Sequence, residues 1–358
     1  MFKFYIPTQV IMTTEINADI FIKYRKILLF TSKSIIKKEY FKKILALIGK
    51  EKIIGIVVIK QEQNYLEIKE LAHKYNTNVK KIDLILALGG GSVIDSAKLM
   101  SILYYDENIN LLKLNSIKKS IDIITIPTKI GSGSEFNRYA VINDKNKIGI
   151  TLDEIYPKLT IINPKYIDSN KKELLCGIID STVHLFERYF SKIKFEITQD
   201  FIIILYKKLL MLSYQIINSN KIDDLTIAEL AWISNLSNSN FIEIGQKADW
   251  SSHRIAHAIG AYYGYRHCKI IGIVFFSWLI EIENKINLEQ YNINELKAQL
   301  FFLINEIDND IKIKKKDYNI LVDIIINDMK SGTIGNFVTL DKTEIKNILK
   351  RIKKWKNN

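Results

Sequence analysis

Stretches apolar at nearly every position alternate along the chain with stretches whose apolar residues recur every three or four positions. Residues 26–34 read as a strand running into a polar turn, and 35–48 as an amphipathic helix. Residues 52–60 are a second strand and 63–75 a second helix. Residues 84–88 are apolar throughout, which suits a strand covered on both faces of a parallel sheet. Three glycines and Ser92 follow, then a helical period of Val93, Ile94, Ala97, Leu99 and Met100. Residues 121–127 form another strand, and 137–150 place an Asn-Asp-Lys-Asn turn between two apolar runs, as a hairpin does. After Asn163-Pro164 strand-like runs become scarce and helical periods continue to the end. The pattern predicts an α/β N-terminal nucleotide-binding domain with a mainly parallel sheet over 1–163, and an all-α C-terminal domain over 164–358.

Two loops in the first domain carry candidate chemistry. Gly89, Gly90 and Gly91 allow the backbone to approach a ligand closely, and Ser92 is placed to cap a helix whose free N–H groups face outward. A strand, a glycine loop and a helix N-terminus make an anion site suited to a cofactor pyrophosphate, although the spacing is not G-x-G-x-x-G. Residues 128–135, Thr-Lys-Ile-Gly-Ser-Gly-Ser-Glu, form a second glycine–hydroxyl loop after the next strand. Two such loops at neighbouring strand ends can enclose one phosphate-bearing ligand.

Only five histidines occur, and four fall in two groups. Asp180 and His184 lie at i, i+4 on one helix face; His253 and His257 repeat that spacing, and His267 follows. Carboxylate and imidazole on separate helices suit Fe²⁺ or Zn²⁺ better than Mg²⁺ or Ca²⁺. His73, alone in a helical stretch, reads as an exposed helix residue. A nicotinamide beside such a metal makes hydride transfer the natural chemistry.

Charge and composition narrow the partners. The net charge of +13 invites nucleic acid, but the lysines are scattered, and the densest runs, 312–317 and 346–356, lack interleaved aromatics. These read as solvated helix faces. No apolar window approaches the ~18 residues of a membrane span, and the N-terminus lacks a signal peptide's apolar core. Cys176 and Cys268 do not make a disulfide framework, so a reducing cytoplasm is expected. Phe275, Phe276 and Trp278 read as a buried helix face.

Residues 89–98, 126–135, 177–187 and 253–267, with 335–341 near the end, together resemble the iron-containing (group III) alcohol dehydrogenase family over nearly the whole chain. Residues 136–142, 184–190 and Ser277-Trp-Leu are similar to its butanol dehydrogenase and aldehyde reductase branch. The resemblance implies a dehydroquinate synthase-like architecture, with the site between the two domains. It implies metal ligation by Asp180, His184, His253 and His267, and a proton-relay or cofactor-positioning role for His257. Gly90, Gly91 and Ser92 would hold the pyrophosphate, with Asp95, Thr128 and Ser132 also on the cofactor side. The implied reaction is hydride transfer between NADPH or NADH and an aldehyde or primary alcohol held at Fe²⁺ or Zn²⁺, and the family admits a homodimer.

Three departures from the family bear on specificity. Ser32 stands where NAD-preferring relatives carry an acid for the ribose 2′-OH, and Lys33 is adjacent, so NADPH is favoured. Lys129 replaces a hydroxyl residue, and Arg266-His267-Cys268 replaces the common Pro-His-Gly. These two cations motivate a rival in which the substrate is a phosphorylated or phosphonate aldehyde or alcohol. A nucleotide-binding protein without catalysis is the other alternative.

Overall fold

In the computed structural model the described residues are 3–60, 64–76, 81–106, 117, 119–143, 147–288, 293–307, 310–327, 329 and 331–354. The predicted hairpin turn lies mostly outside them, at 144–146, as does the end of the basic tail.

The elements of the first half run β1 (Gln9–Met12), β2 (Ile27–Ser32), α1 (Lys33–Ile36), α2 (Glu39–Ile48), β3 (Ile53–Ile59) and α3 (Tyr65–Tyr75). They continue with β4 (Leu84–Gly89), α4 (Gly91–Leu103), β5 (Asp122–Pro127), β6 (Tyr139–Asn143), β7 (Lys147–Thr151) and β8 (Leu159–Ile162). Six strands form one parallel sheet in the order β1-β8-β5-β4-β2-β3. β6 and β7 pair separately as the antiparallel hairpin.

Because side chains alternate across a strand, the continuous apolar runs supply two cores. Leu28, Phe30, Ile85 and Ala87 face one, beneath Ile94, Ala97 and Ile68 from the helices on that side. Ile27, Leu29, Leu84, Leu86 and Leu88 face the other, packed on Phe41, Ile44 and Ile48 of α2. The edge strand β3 instead exposes Ile56 and Val58, for nothing described covers its outer face.

The second half is helical: α5 (Lys171–Tyr189), α6 (Glu196–Asn218), α7 (Asp224–Ser237), α8 (Ser251–Tyr263), α9 (His267–Glu283), α10 (Ile293–Asn305), α11 (Tyr318–Ile326) and α12 (Lys342–Lys354). α9 is buried nearly all round, through Ile270, Ile273, Phe275, Trp278 and Ile282, as expected of a core helix. The basic α12 buries Ile345, Ile348, Leu349 and Ile352 and exposes Lys342 and Lys350. No described helix is long and apolar enough to cross a membrane.

Two compact units result. The sheet unit comprises Tyr5–Ser169 together with Lys221–Asn240, and the helical unit is built from Asn170–Asn220 and Phe241–Asn358. α7 therefore belongs with the sheet, although it follows residue 163 by more than fifty positions. Its Ser234 hydroxyl accepts the Gly131 N–H at 2.8 Å, and Asn238, just past its end, donates to the Ser132 carbonyl at 2.7 Å.

Candidate metal centre and cofactor loops

α5 begins with Asn170 accepting from the N–H groups of Lys172 and Glu173, and then runs inward for five turns. The i, i+4 spacing sets Asp180 and His184 on one buried face of it. His253 comes from the first turn of α8 and His267 is the first residue of α9. The Nε2 atoms of His267, His253 and His184 stand 3.5, 3.6 and 3.9 Å from Oδ1 of Asp180. The ligand atoms of Asp180, His253 and His267 all lie within 4.8 Å of one another.

Neither the buried Oδ1 of Asp180 nor Nε2 of His253 has a hydrogen-bond partner. Such orphaned polar atoms are costly unless something else satisfies them. Two donors each ~2.1 Å from a tetrahedral ion lie ~3.4 Å apart, close to the spacings seen. The donor set of one carboxylate and three imidazoles therefore fits a divalent transition ion.

Electrostatics agree with that reading. Burial alone would raise Asp180, yet His184, His253 and His267 hold its carboxyl well below the usual range. His184 is driven well below its ordinary value by burial. His253 is opposed by burial but is pushed up to about 9 by Glu187 and Asp180, one on each ring nitrogen.

Glu187 was not singled out from the sequence. It is fully buried on α5, and its Oε2 lies 2.5 Å from Nδ1 of His253. Its Oε1 accepts the backbone N–H groups of Ser252 and His253 and the Ser252 hydroxyl. A carboxylate on the far nitrogen of a ligand fixes the ring's tautomer and direction. Glu187→Gln is expected to weaken divalent-metal affinity by about 10- to 100-fold, measured by chelator competition. Trp250, also unforeseen, is the one described non-glycine residue with positive φ, at 61°. Its ring lies under the Arg188 guanidinium at 4.6 Å and edge-on to His184 and His253.

His257 lies beside the cluster, its ring 4.8 Å from that of His267 and 6.0 Å from that of His253. His73 is exposed on α3, as expected.

In the sheet unit the two glycine loops meet at the carboxyl ends of the neighbouring strands β4 and β5. The Thr128 N–H donates to the Gly89 carbonyl at 3.0 Å. A Cβ on Gly91 would fall 2.7 Å from Oγ of Ser132 and 2.9 Å from its Cβ, so this contact needs a glycine. A Cβ on Gly90 would keep 3.5 Å from the Lys129 side chain, whose stem runs over that residue. Ser92, expected as the cap of α4, is instead an exposed residue of its first turn. Gly90 takes the cap position in extended conformation, and its carbonyl accepts from Val93 and Ile94. Asp95 spends both oxygens inside the unit, on the Ser134 hydroxyl and the Val141 N–H. Ser32 ends β2 on the same side of the sheet.

Gly91→Ala should separate the loops and lower NAD(P)H affinity about tenfold or more by fluorescence titration. Gly90→Ala should leave the melting temperature unchanged; any loss of affinity it shows reports cofactor backbone approach at that residue.

Residues 10–164 match the family of iron-containing alcohol dehydrogenases. NADH-dependent butanol dehydrogenase A of Clostridium acetobutylicum is 32% identical over 218 residues, 59% of this chain and 56% of that protein. The NADPH-dependent aldehyde reductase YqhD of Escherichia coli is 26% identical over 206 residues, 54% of this chain and 53% of that one. The alignments span about half the length of each of these two relatives. The crystal structure of NADH-dependent butanol dehydrogenase A from Thermotoga maritima superposes with a TM-score of 0.88 at 22% identity, covering 98% of both chains, a likeness of fold. This chain is similar to iron-containing alcohol dehydrogenases in sequence over residues 10–164 and in fold over 98% of its length. The chain holds a carboxylate and three imidazoles together in one cluster. Its Arg266, by contrast, is not free for an anionic ligand: both terminal nitrogens donate to Glu173 at 2.6 Å.

Proposed function

We propose that the chain is a metal-dependent, NAD(P)H-linked alcohol dehydrogenase working as an aldehyde reductase, with Asp180, His184, His253 and His267 as metal ligands. The observation that carries this is the convergence of three imidazole nitrogens on one orphaned carboxylate oxygen. A ferrous ion bound there would supply Lewis-acid polarisation of a carbonyl. The imidazoles and Asp180 hold that charge in a buried setting, and Glu187 keeps the His253 ring turned toward it. His257, part-exposed beside His267, is the residue this reading assigns to supply a proton to the product.

Gly90, Gly91, Thr128 and Ser132 line the loops that would receive the cofactor phosphates, with the α4 N-terminus behind them. Ser92 shares that first turn, and Asp95 acts by holding Ser134 and Val141 in place. Ser32 offers no carboxylate against a 2′-phosphate and Lys33 is exposed next to it, which favours NADPH over NADH. The phosphorylated-substrate reading is weakened, because the Arg266 charge is paired with the Glu173 carboxylate.

The test is anaerobic oxidation of NADPH by Fe²⁺-loaded protein with butanal or with a phosphorylated short aldehyde. Robust turnover of butanal is expected. Iron-replete protein that turned over only the phosphorylated aldehyde would overturn the assignment.

A further inference from the structure

We propose that the Arg266–Glu173 ion pair is a positioning clamp that sets His267 in the metal centre; the proposal rests on the metal-site reading above. The two guanidinium nitrogens of Arg266 each donate to a separate oxygen of Glu173 at 2.6 Å, a planar fork that fixes direction as well as distance. Arg266 is the residue immediately before α9, and His267 opens that helix. Glu173 lies in the first turn of α5, two turns ahead of Asp180 on the same helix. The clamp therefore ties the start of the helix bearing one ligand to the helix bearing Asp180, His184 and Glu187.

His267 has particular need of such a tie. Its side chain is 27% exposed, against 6% for His184 and 7% for His253, so packing restrains it least. His253 also has Glu187 on its far nitrogen. The connection leading to His267 is short: α8 ends at Tyr263, and only its cap Gly264, with φ of 72°, Tyr265 and Arg266 intervene. The hydroxyl of Tyr265 accepts from the Lys312 N–H at 3.1 Å and that of Tyr263 from the Lys314 N–H at 3.0 Å. These tie the turn to residues 312–314, while Arg266 ties it to α5.

The pair is partly solvated, with side chains 36% and 21% exposed, so its worth lies in geometry more than in stability. Partners that orient ligands in this way typically change metal affinity by about 10- to 100-fold when removed.

The experiment uses the full chain, loaded with Co²⁺ as a spectroscopic probe, with Co²⁺ affinity measured by chelator competition. Arg266→Ala and Glu173→Gln should each weaken Co²⁺ binding by about tenfold or more and alter its visible d–d bands, with little change in the melting temperature of the metal-free protein. Arg266→Lys keeps the charge but not the fork and should recover only part of the affinity. The exchanged double variant, Glu173→Arg with Arg266→Glu, should restore both affinity and spectrum. Unchanged affinity and spectrum in both single variants, with the wild type binding normally, would overturn the clamp. A wild type that binds no Co²⁺ would overturn the metal centre itself, and the clamp with it.

Discussion

Asp180→Ala protein incubated with excess Fe²⁺ under anaerobic conditions is expected to retain no stoichiometric metal and to lose on the order of 10³-fold in kcat/KM. The magnitude follows from the several kcal/mol of charge stabilisation that a Lewis acid supplies, at about 1.4 kcal/mol per tenfold in rate. Asp180 is the cleanest position at which to remove the site. It is the one atom group that all three imidazoles face, and its Oδ1 has no other partner to strand. His253→Ala would lose the metal as well, but it would also leave the buried Glu187 carboxylate without its ring partner, mixing a folding defect into the result. The metal-free Asp180→Ala protein should melt within about 4 °C of the metal-free wild type, which separates loss of ligation from loss of fold. Full iron content and activity in this variant would remove the carboxylate from the ligand set.

The parts of this molecule legible in the sequence are those governed by local periodicity. β2 and β4 announce themselves as unbroken apolar runs because both of their faces are covered, and α2 by its single apolar stripe. The i, i+4 spacing of Asp180 and His184 survives folding unchanged, for a helix turns it directly into adjacency. What was hidden depends on partners far away in the chain. β1 is a four-residue strand that exists by pairing with β8, and its own pattern carries little signal. α7 looks like any other helix of the second half, and its contacts with the Gly131–Ser132 loop, together with Trp232 against Phe136, place it with the sheet. Arg266 looked available to a substrate anion until Glu173, ninety-three residues earlier, was seen to fill its fork. Ser92 is a reasonable cap by residue type, but α4 begins earlier, at Gly91, so Gly90 takes the cap position and Ser92 falls inside the first turn. Glu187 carried a weak signal, a carboxylate one residue short of a full turn after His184. Nothing in the sequence says that it would meet His253 of α8.

Lys98 is the case in which periodicity misleads most, and its replacement should be the most damaging to the sheet unit. A lysine in a helical stretch reads as solvent-facing, yet this side chain is fully buried. Its ammonium donates to the Asn137 carbonyl at 2.9 Å, to Oδ1 of Asn137 at 3.0 Å and to the Tyr139 carbonyl at 2.7 Å, using all three of its protons. Burial pulls Lys98 down to about 8, against the pull of Asp95 and Glu135. Burial pushes Glu135 up to about 7 and raises Asp95, whose Oδ1 in turn holds the Ser134 hydroxyl. α4 thereby fastens the far end of the second glycine loop. Lys98→Met would strand two backbone carbonyls and leave two buried carboxyls without their cation, at a cost of about 3–5 kcal/mol. In this variant the folded-state pKa values of Glu135 and Asp95 should climb further above their unfolded values. Groups raised in that way favour the folded state when protonated, so the penalty is greatest above pH ~8 and shrinks as the pH falls through 7 toward the ordinary carboxylate range near ~4. Urea unfolding of Lys98→Met and wild type at pH 8 and pH 5 measures this directly. A penalty of under ~1 kcal/mol at pH 8, or one that grew on acidification, would show that the lysine does not serve as the counter-charge of this cluster.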